Sequence, residues 1–178
     1  MNIGLTGHTR GLGKAIEKCF VENGHRVIGF SSSNGFDITD NQRRSEIIDK
    51  SVDCEIFFNN AYADFAQTEL LYELFKAWSG KDKVIICIGS TVTTGVVPHF
   101  WRYASHKYSL DKACEQLAFL NDPCKVANFR FGWIGTERVL DVFKPKNFLH
   151  PDEVAKFIYE QLKWVKLHRL NEITLRPN

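Results

Sequence analysis

The stretch Thr6-Gly7-His8-Thr9-Arg10-Gly11-Leu12-Gly13 constrains this chain more than any other. A short apolar run, Asn2-Ile3-Gly4-Leu5, stands before it. Lys14-Ala15-Ile16-Glu17-Lys18-Cys19-Phe20 follows, with apolar residues at helical spacing. The glycines therefore punctuate a strand-to-helix turn, the context a nucleotide-binding turn requires. Gly7 permits the tight exit from the strand, Gly11 lets backbone approach a diphosphate, and Gly13 lets the helix pack close to the strand. The helix is expected to begin near Gly11, turning its unpaired amides and positive dipole end toward phosphate. The spacing is Gly-x-x-x-Gly-x-Gly rather than Gly-x-Gly-x-x-Gly, so the remainder of the chain has to agree.

It does agree in rhythm. His25 to Phe30, Cys54 to Phe58 and Lys83 to Ile88 read as buried strands, separated by helices over roughly 40–50 and 64–78. Strands apolar throughout, alternating with helices, predict an α/β fold. The expectation is a three-layer, doubly wound arrangement: a mostly parallel sheet of six to seven strands within a single domain over 1–178. Ligands of such sheets bind outside the carboxyl ends of the strands. Gly7, Ser31, Asn60 and Ser90 collect at those ends.

Composition narrows the function. The chain has 178 residues, 44% hydrophobic and 25% charged, with a net charge of +2 and no basic block, so nucleic acid is not indicated. Five scattered cysteines without a Cys-x-x-Cys pair read as reduced core thiols of a cytoplasmic protein, and no metal is expected. The longest apolar run, Val84 to Ile88, is far too short to span a bilayer, and a strand starting at residue 2 leaves no room for a signal peptide. After the second strand the sequence offers Ser31 and Ser32 where an NAD site often has an acidic residue, and Arg10 precedes the second glycine. Hydroxyls plus a guanidinium suit the 2′-phosphate of NADP(H) better than a bare 2′-hydroxyl. A polar loop and a solvated arginine are the plainer account. Asp37, Thr39 and Asp40 read as helix caps.

Tyr103 and Lys107 lie four apart on one predicted helical face. An ammonium beside a phenol favours the phenolate, so Tyr103 is expected to have a lowered pKa and to serve as proton donor or acceptor. Ser90 is placed to meet the same substrate oxygen. Tyr108 and Lys112 form a second pair of the same spacing in the same helix.

Thr6 to Gly13, Asp37-Ile38, Asn59-Asn60-Ala61, Ser90, Tyr103 with Lys107, and Gly132-Trp133-Ile134-Gly135-Thr136 occur in one order. In this the chain resembles a short-chain dehydrogenase/reductase, shortened by several tens of residues. The segments from His150 to Ala155 and from Glu172 to Pro177 resemble that family's last helix and last strand. The resemblance selects Tyr103 and Lys107 over Tyr108 and Lys112. It implies that Tyr103 exchanges a proton with a carbonyl or alcohol oxygen while the nicotinamide exchanges a hydride with its carbon. Lys107 would assist Tyr103 and hold the ribose, and Ser90 would orient the oxygen. The glycine turn (Gly7, Thr9, Gly11, Leu12, Gly13) would hold the diphosphate; Arg10 matches the family's basic residue that marks NADP(H) preference, beside the cofactor-binding candidates Ser31 and Ser32. Asp37 and Ile38 would meet the adenine, Asn60 and Ala61 the adjoining ribose, and Gly132, Ile134 and Thr136 the carboxamide. NADP(H) is preferred, NAD(H) possible, the substrate a small carbonyl or alcohol, and a homodimer or homotetramer is implied.

Three departures stand out. No asparagine lies between Asn60 and Ser90, where the family commonly uses one in a proton relay. Tyr62 replaces the glycine after Asn-Asn-Ala, where a phenol would crowd the cofactor. The segment from Thr136 to His150 is short for a substrate-covering lid, which implies an open site. His99, Trp101 and Trp133 are candidate pocket residues. Phe119, Leu120, Phe157, Tyr159 and Trp164 are candidate interface residues, although for any one of them a place in the core is the more usual account. The alternative function is a non-catalytic dinucleotide-binding sensor or partner module; a sugar-nucleotide epimerase fits the glycine spacing and the length less well.

Overall fold

The computed structural model describes residues 1–96, 100–168 and 170–178. Its elements run β1 (Asn2–Thr6), α1 (Gly11–Glu22), β2 (Arg26–Phe30), α2 (Asn41–Lys50), β3 (Ile56–Asn59), α3 (Ala66–Trp78) and β4 (Val84–Ser90). There follow α4 (Arg102–Ala118), β5 (Lys125–Phe131), α5 (Glu137–Val142), α6 (Pro151–His168) and β6 (Glu172–Leu175). Six strands pair in the order β2-β1-β3-β4-β5-β6, every pairing parallel. Among the described residues no helix is long and apolar enough to cross a membrane.

The apolar runs of the strands are explained by burial on both faces. Successive strand residues point to opposite sides, so Phe58 and Ile86 join Phe20 of α1 and Ile158 of α6 in one layer. Their neighbours Phe57 and Ile85 join Leu74 of α3 and Leu110 of α4 in the other. A polar tie secures the second layer. Arg44 of α2, only 5% exposed, donates from Nε to both carboxylate oxygens of Glu73 on α3 at 3.0 Å.

The strand order reverses at β1, which has β2 on one side and β3 on the other. Chains leave the carboxyl ends of β1 and β3 in opposite directions there, opening a crevice. The predicted elements all appear, with ends moved by one to three residues, as helix and strand termini commonly do. His99 lies outside the described residues. Phe119 is 83% exposed, whereas Phe157 and Tyr159 pack against the first core layer.

Candidate active site

Thr6 ends β1 and holds the crevice in shape. Its Oγ1 accepts from the backbone N–H groups of Asn60 at 2.9 Å and Ala61 at 3.0 Å. The Asn60 side chain donates back to the Thr6 carbonyl at 2.9 Å. The turn after Thr6 has Gly7 at φ 71° and Gly11 at φ 55°, values that favour glycine. At Gly13 a Cβ would stand 2.0 Å from the Gly7 carbonyl oxygen, so α1 can begin this close to β1 only without a side chain. Arg10 is extended and no side chain caps the helix. The first amides of α1 have no intrahelical partner, which is the physical condition for an anion site.

Around this turn the expected residues divide. Thr9, Arg10 and Ser32 are exposed at the crevice rim. Ser31 is 7% exposed, and its hydroxyl contacts Ser33 Oγ at 2.8 Å within its own turn, so Ser31 builds the loop rather than facing a ligand. Asp37 accepts from the Thr39 N–H and hydroxyl, both at 2.9 Å, and these bonds hold its carboxyl below the usual range. The Ile38 side chain is packed in the second core layer. Thr136 lies over Gly11, its Cγ2 3.1 Å from where a Cβ would be.

Leu12, Asn60, Ser90, Tyr103, Lys107, Gly132, Ile134 and Thr136 all line one cavity of about 580 Å³. Ser90 ends β4, and its Oγ accepts from the Val92 N–H at 3.3 Å in the following turn. Asp111 of α4 anchors that turn through Thr93 and also accepts from Asn128 at 2.7 Å and Arg130 at 3.2 Å on β5. The helix that carries Tyr103 is thereby fastened to the strand end that carries Ser90.

Lys107 is 3% exposed, and its ammonium donates to the Ile88 carbonyl and to Gln67 Oε1, each at 2.8 Å. Burial lowers its pKa from 10.5 to about 8. Its Nζ stands 5.7 Å from the Tyr103 ring centre and 5.6 Å from that of Tyr62. The lowered Tyr103 pKa expected from the sequence is not found. Burial pushes the phenol up, a hydrogen bond with Ser90 pulls it partly back, and the ammonium is turned to Gln67 and Ile88. Tyr108 and Lys112 point elsewhere: Tyr108 donates to the Gly95 carbonyl and Lys112 pairs with Glu115.

Two residues escaped the sequence reading. Gln67, at the start of α3, is 2% exposed. Besides accepting from Lys107, its amide donates to the Asn59 carbonyl at 2.7 Å and the Ile88 carbonyl at 3.3 Å. A buried amide meets the lysine directly in a chain without the asparagine. A polar residue one position into a helix next to Asn59 was a weak signal. His106, 3% exposed, takes the Tyr62 hydroxyl at 2.9 Å and lies 3.4 Å from Asp64. This contact lays the Tyr62 ring edgewise on that of Tyr103, with centres 4.9 Å apart.

No family model matches the sequence, and no curated protein does. Solved structures do match in fold. An alcohol dehydrogenase from Thermococcus sibiricus, complexed with 5-hydroxy-NADP, superposes with a TM-score of 0.77 at 18% identity, covering 98% of this chain and 96% of that one. A 4-hydroxyisoleucine dehydrogenase complexed with NADH gives 0.83 at 17% identity over 98% and 96%. A short-chain dehydrogenase/reductase from Vibrio parahaemolyticus gives 0.80 at 16% identity over 99% of each chain.

Proposed function

We propose that this chain, which has the fold of the short-chain dehydrogenase/reductase structures, is an NADP(H)-dependent oxidoreductase acting at a carbonyl or alcohol carbon. The observation that carries the reading is the convergence of Ser90, Tyr103 and Lys107 on one cavity beside the uncapped start of α1. The residues present fit a nicotinamide dinucleotide: the glycine cradle has no room for a Cβ at Gly13, and the cavity continues from Leu12 past Thr136 to Tyr103. Bound there, the cofactor supplies or takes the hydride at the substrate carbon. Gly7, Gly11, Leu12 and Gly13 would cradle the diphosphate, and Arg10 with Ser32 would favour the 2′-phosphate. Asp37 and the backbone of Ile38 would border the adenine. Asn60 and Ala61 would border its ribose, and Gly132, Ile134 and Thr136 the carboxamide.

In reduction, Tyr103 would give its phenolic proton to the carbonyl oxygen whose carbon receives the hydride, so that the product is the alcohol. A phenol held above its ordinary pKa stays protonated at neutral pH, which suits the donor role. Ser90, which lines the same cavity as that phenol, would donate to the same oxygen. Lys107 keeps positive charge beside the ring and offers donors to the ribose. Changing Tyr103 to Phe is expected to reduce NADPH-dependent turnover by a factor of roughly a hundred or more while NADPH binding stays close to wild type. Undiminished turnover would remove Tyr103 from the mechanism.

The Tyr62 latch on His106 favours a second reading, a dinucleotide-binding module without catalysis, because the phenol stands beside the lysine that would hold the ribose. NADPH binding with no reduction across aldehydes, ketones and quinones would select it. A cytoplasmic protein suits the five free cysteines, and a homo-oligomer through α4 is read by light scattering.

A further inference from the structure

The substrate end of the cavity is walled by rings. Trp101 lies 5.1 Å from Tyr103 and 6.4 Å from Trp133, nearly parallel to the latter at 24°. Phe143 closes against Trp133 at 5.0 Å and Trp101 at 6.1 Å. All four rings line the cavity that holds Ser90 and Lys107. Trp133 is 38% exposed and Phe143 44% exposed, so two large aromatic faces are left partly uncovered beside the reacting hydroxyls. Exposed aromatic surface gathered at a cavity mouth gains most from a flat apolar occupant.

Among the described residues the cover over this wall is small. Between Thr136 and His150 the one helix among the described residues is α5, six residues long. It sends Val139 into the cavity, and Phe143 follows at its end. Val92 lines the cavity as well. These groups contribute little hydrogen-bonding capacity, so discrimination at this end rests on shape and ring contact. Arg102 and Arg138, both exposed, are the charged groups at the rim.

We propose that the preferred substrates are planar aromatic aldehydes or ketones, whose ring lies on the Trp101–Trp133–Phe143 wall while the carbonyl oxygen meets Tyr103 and Ser90. This rests on the oxidoreductase reading above. The wall itself is tested without turnover.

The test pairs benzaldehyde with cyclohexanecarbaldehyde, which have equal carbon number and differ in flatness and π-surface. Conjugation makes benzaldehyde the less electrophilic, so a preference for it reports binding. The expected result is a kcat/KM at least about tenfold higher for benzaldehyde, the factor that one good aromatic contact supplies. Trp133→Leu and Phe143→Leu, each checked for folding by circular dichroism, should bring that ratio below about threefold. In parallel, binding of 2-naphthalenemethanol to the NADPH-saturated protein, a pair with no hydride acceptor, is followed by calorimetry, with decahydro-2-naphthalenemethanol as control. Tighter binding of the flat alcohol, weakened in both leucine variants, upholds the aromatic site even if no aldehyde is reduced, in which case the oxidoreductase reading alone falls. Equal binding of the two alcohols, or a kcat/KM for cyclohexanecarbaldehyde equal to or above that for benzaldehyde, overturns the proposal.

Discussion

At Lys107 a primary amine is held inside the protein, and the consequences are thermodynamic as well as catalytic. Desolvation lowers its pKa to about 8, against smaller opposing effects of Cys87, Asp111 and Cys114. Below pH 8 both folded and unfolded chains hold the proton, and the fold bears the cost of the buried charge. Between about 8 and 10.5 the unfolded chain binds the extra proton, so stability rises with pH across that window. The gap from 10.5 to about 8, at about 1.4 kcal/mol per pH unit, amounts to an order of 3 kcal/mol. Urea unfolding should show this rise in the wild type relative to Lys107→Met; parallel pH profiles would contradict it. Removing an acceptor from the ammonium has the opposite effect. Gln67→Leu strands the charge and should cost about 1–3 kcal/mol at pH 7. Spacing offered Tyr103 with Lys107 and Tyr108 with Lys112 alike, and the family resemblance chose the first pair, but the partner of the amine was not legible. Gln67 is forty positions away, and only the packing of α3 against α4 brings it within 2.8 Å.

At the scale of the element, α1 is positioned by what its first turn lacks. The 2.0 Å approach of a Gly13 Cβ to the Gly7 carbonyl involves backbone, which cannot swing aside. Gly13→Ala should therefore destabilise the protein by more than about 2 kcal/mol and displace α1 from β1. Gly24→Ala is the matched control. Nothing lies within 4 Å of a Cβ there and only the φ of 78° opposes it, so its cost should be near 1 kcal/mol. Equal losses in the two variants, read from urea midpoints, would show that close packing does not govern the turn. The expected start of α1 at Gly11 is borne out because glycine turns carry their backbone geometry in the sequence itself. The segment after Thr136 read only as short, and α5 with its inward Phe143 depends on contacts with Trp101 and Trp133.

Over the whole molecule, the sheet divides the apolar interior into two layers. Leu74 and Ile158, each fully buried, belong to opposite ones. Leu74→Ala should cost about 2–5 kcal/mol and Ile158→Val about 0.5–1.5 kcal/mol. Because the sheet separates the two sites, the double variant should equal the sum within about 0.5 kcal/mol. A single cooperative urea transition is expected if the chain is one domain; two resolved transitions would refute that organisation.

The sequence by itself determined the parallel α/β architecture and pointed to the strand ends where the candidate site lies. Strands buried on both faces must be apolar throughout, and a parallel sheet presents its ligand crevice where strand order reverses. Both properties are written in local patterns of glycine and hydrophobicity. The tertiary structure alone decided the state of the groups in that crevice. Whether a phenol's pKa rises or falls depends on its burial and on where a neighbouring ammonium directs its protons. Those directions are set by Gln67 and Ile88, which the fold gathers from separate elements.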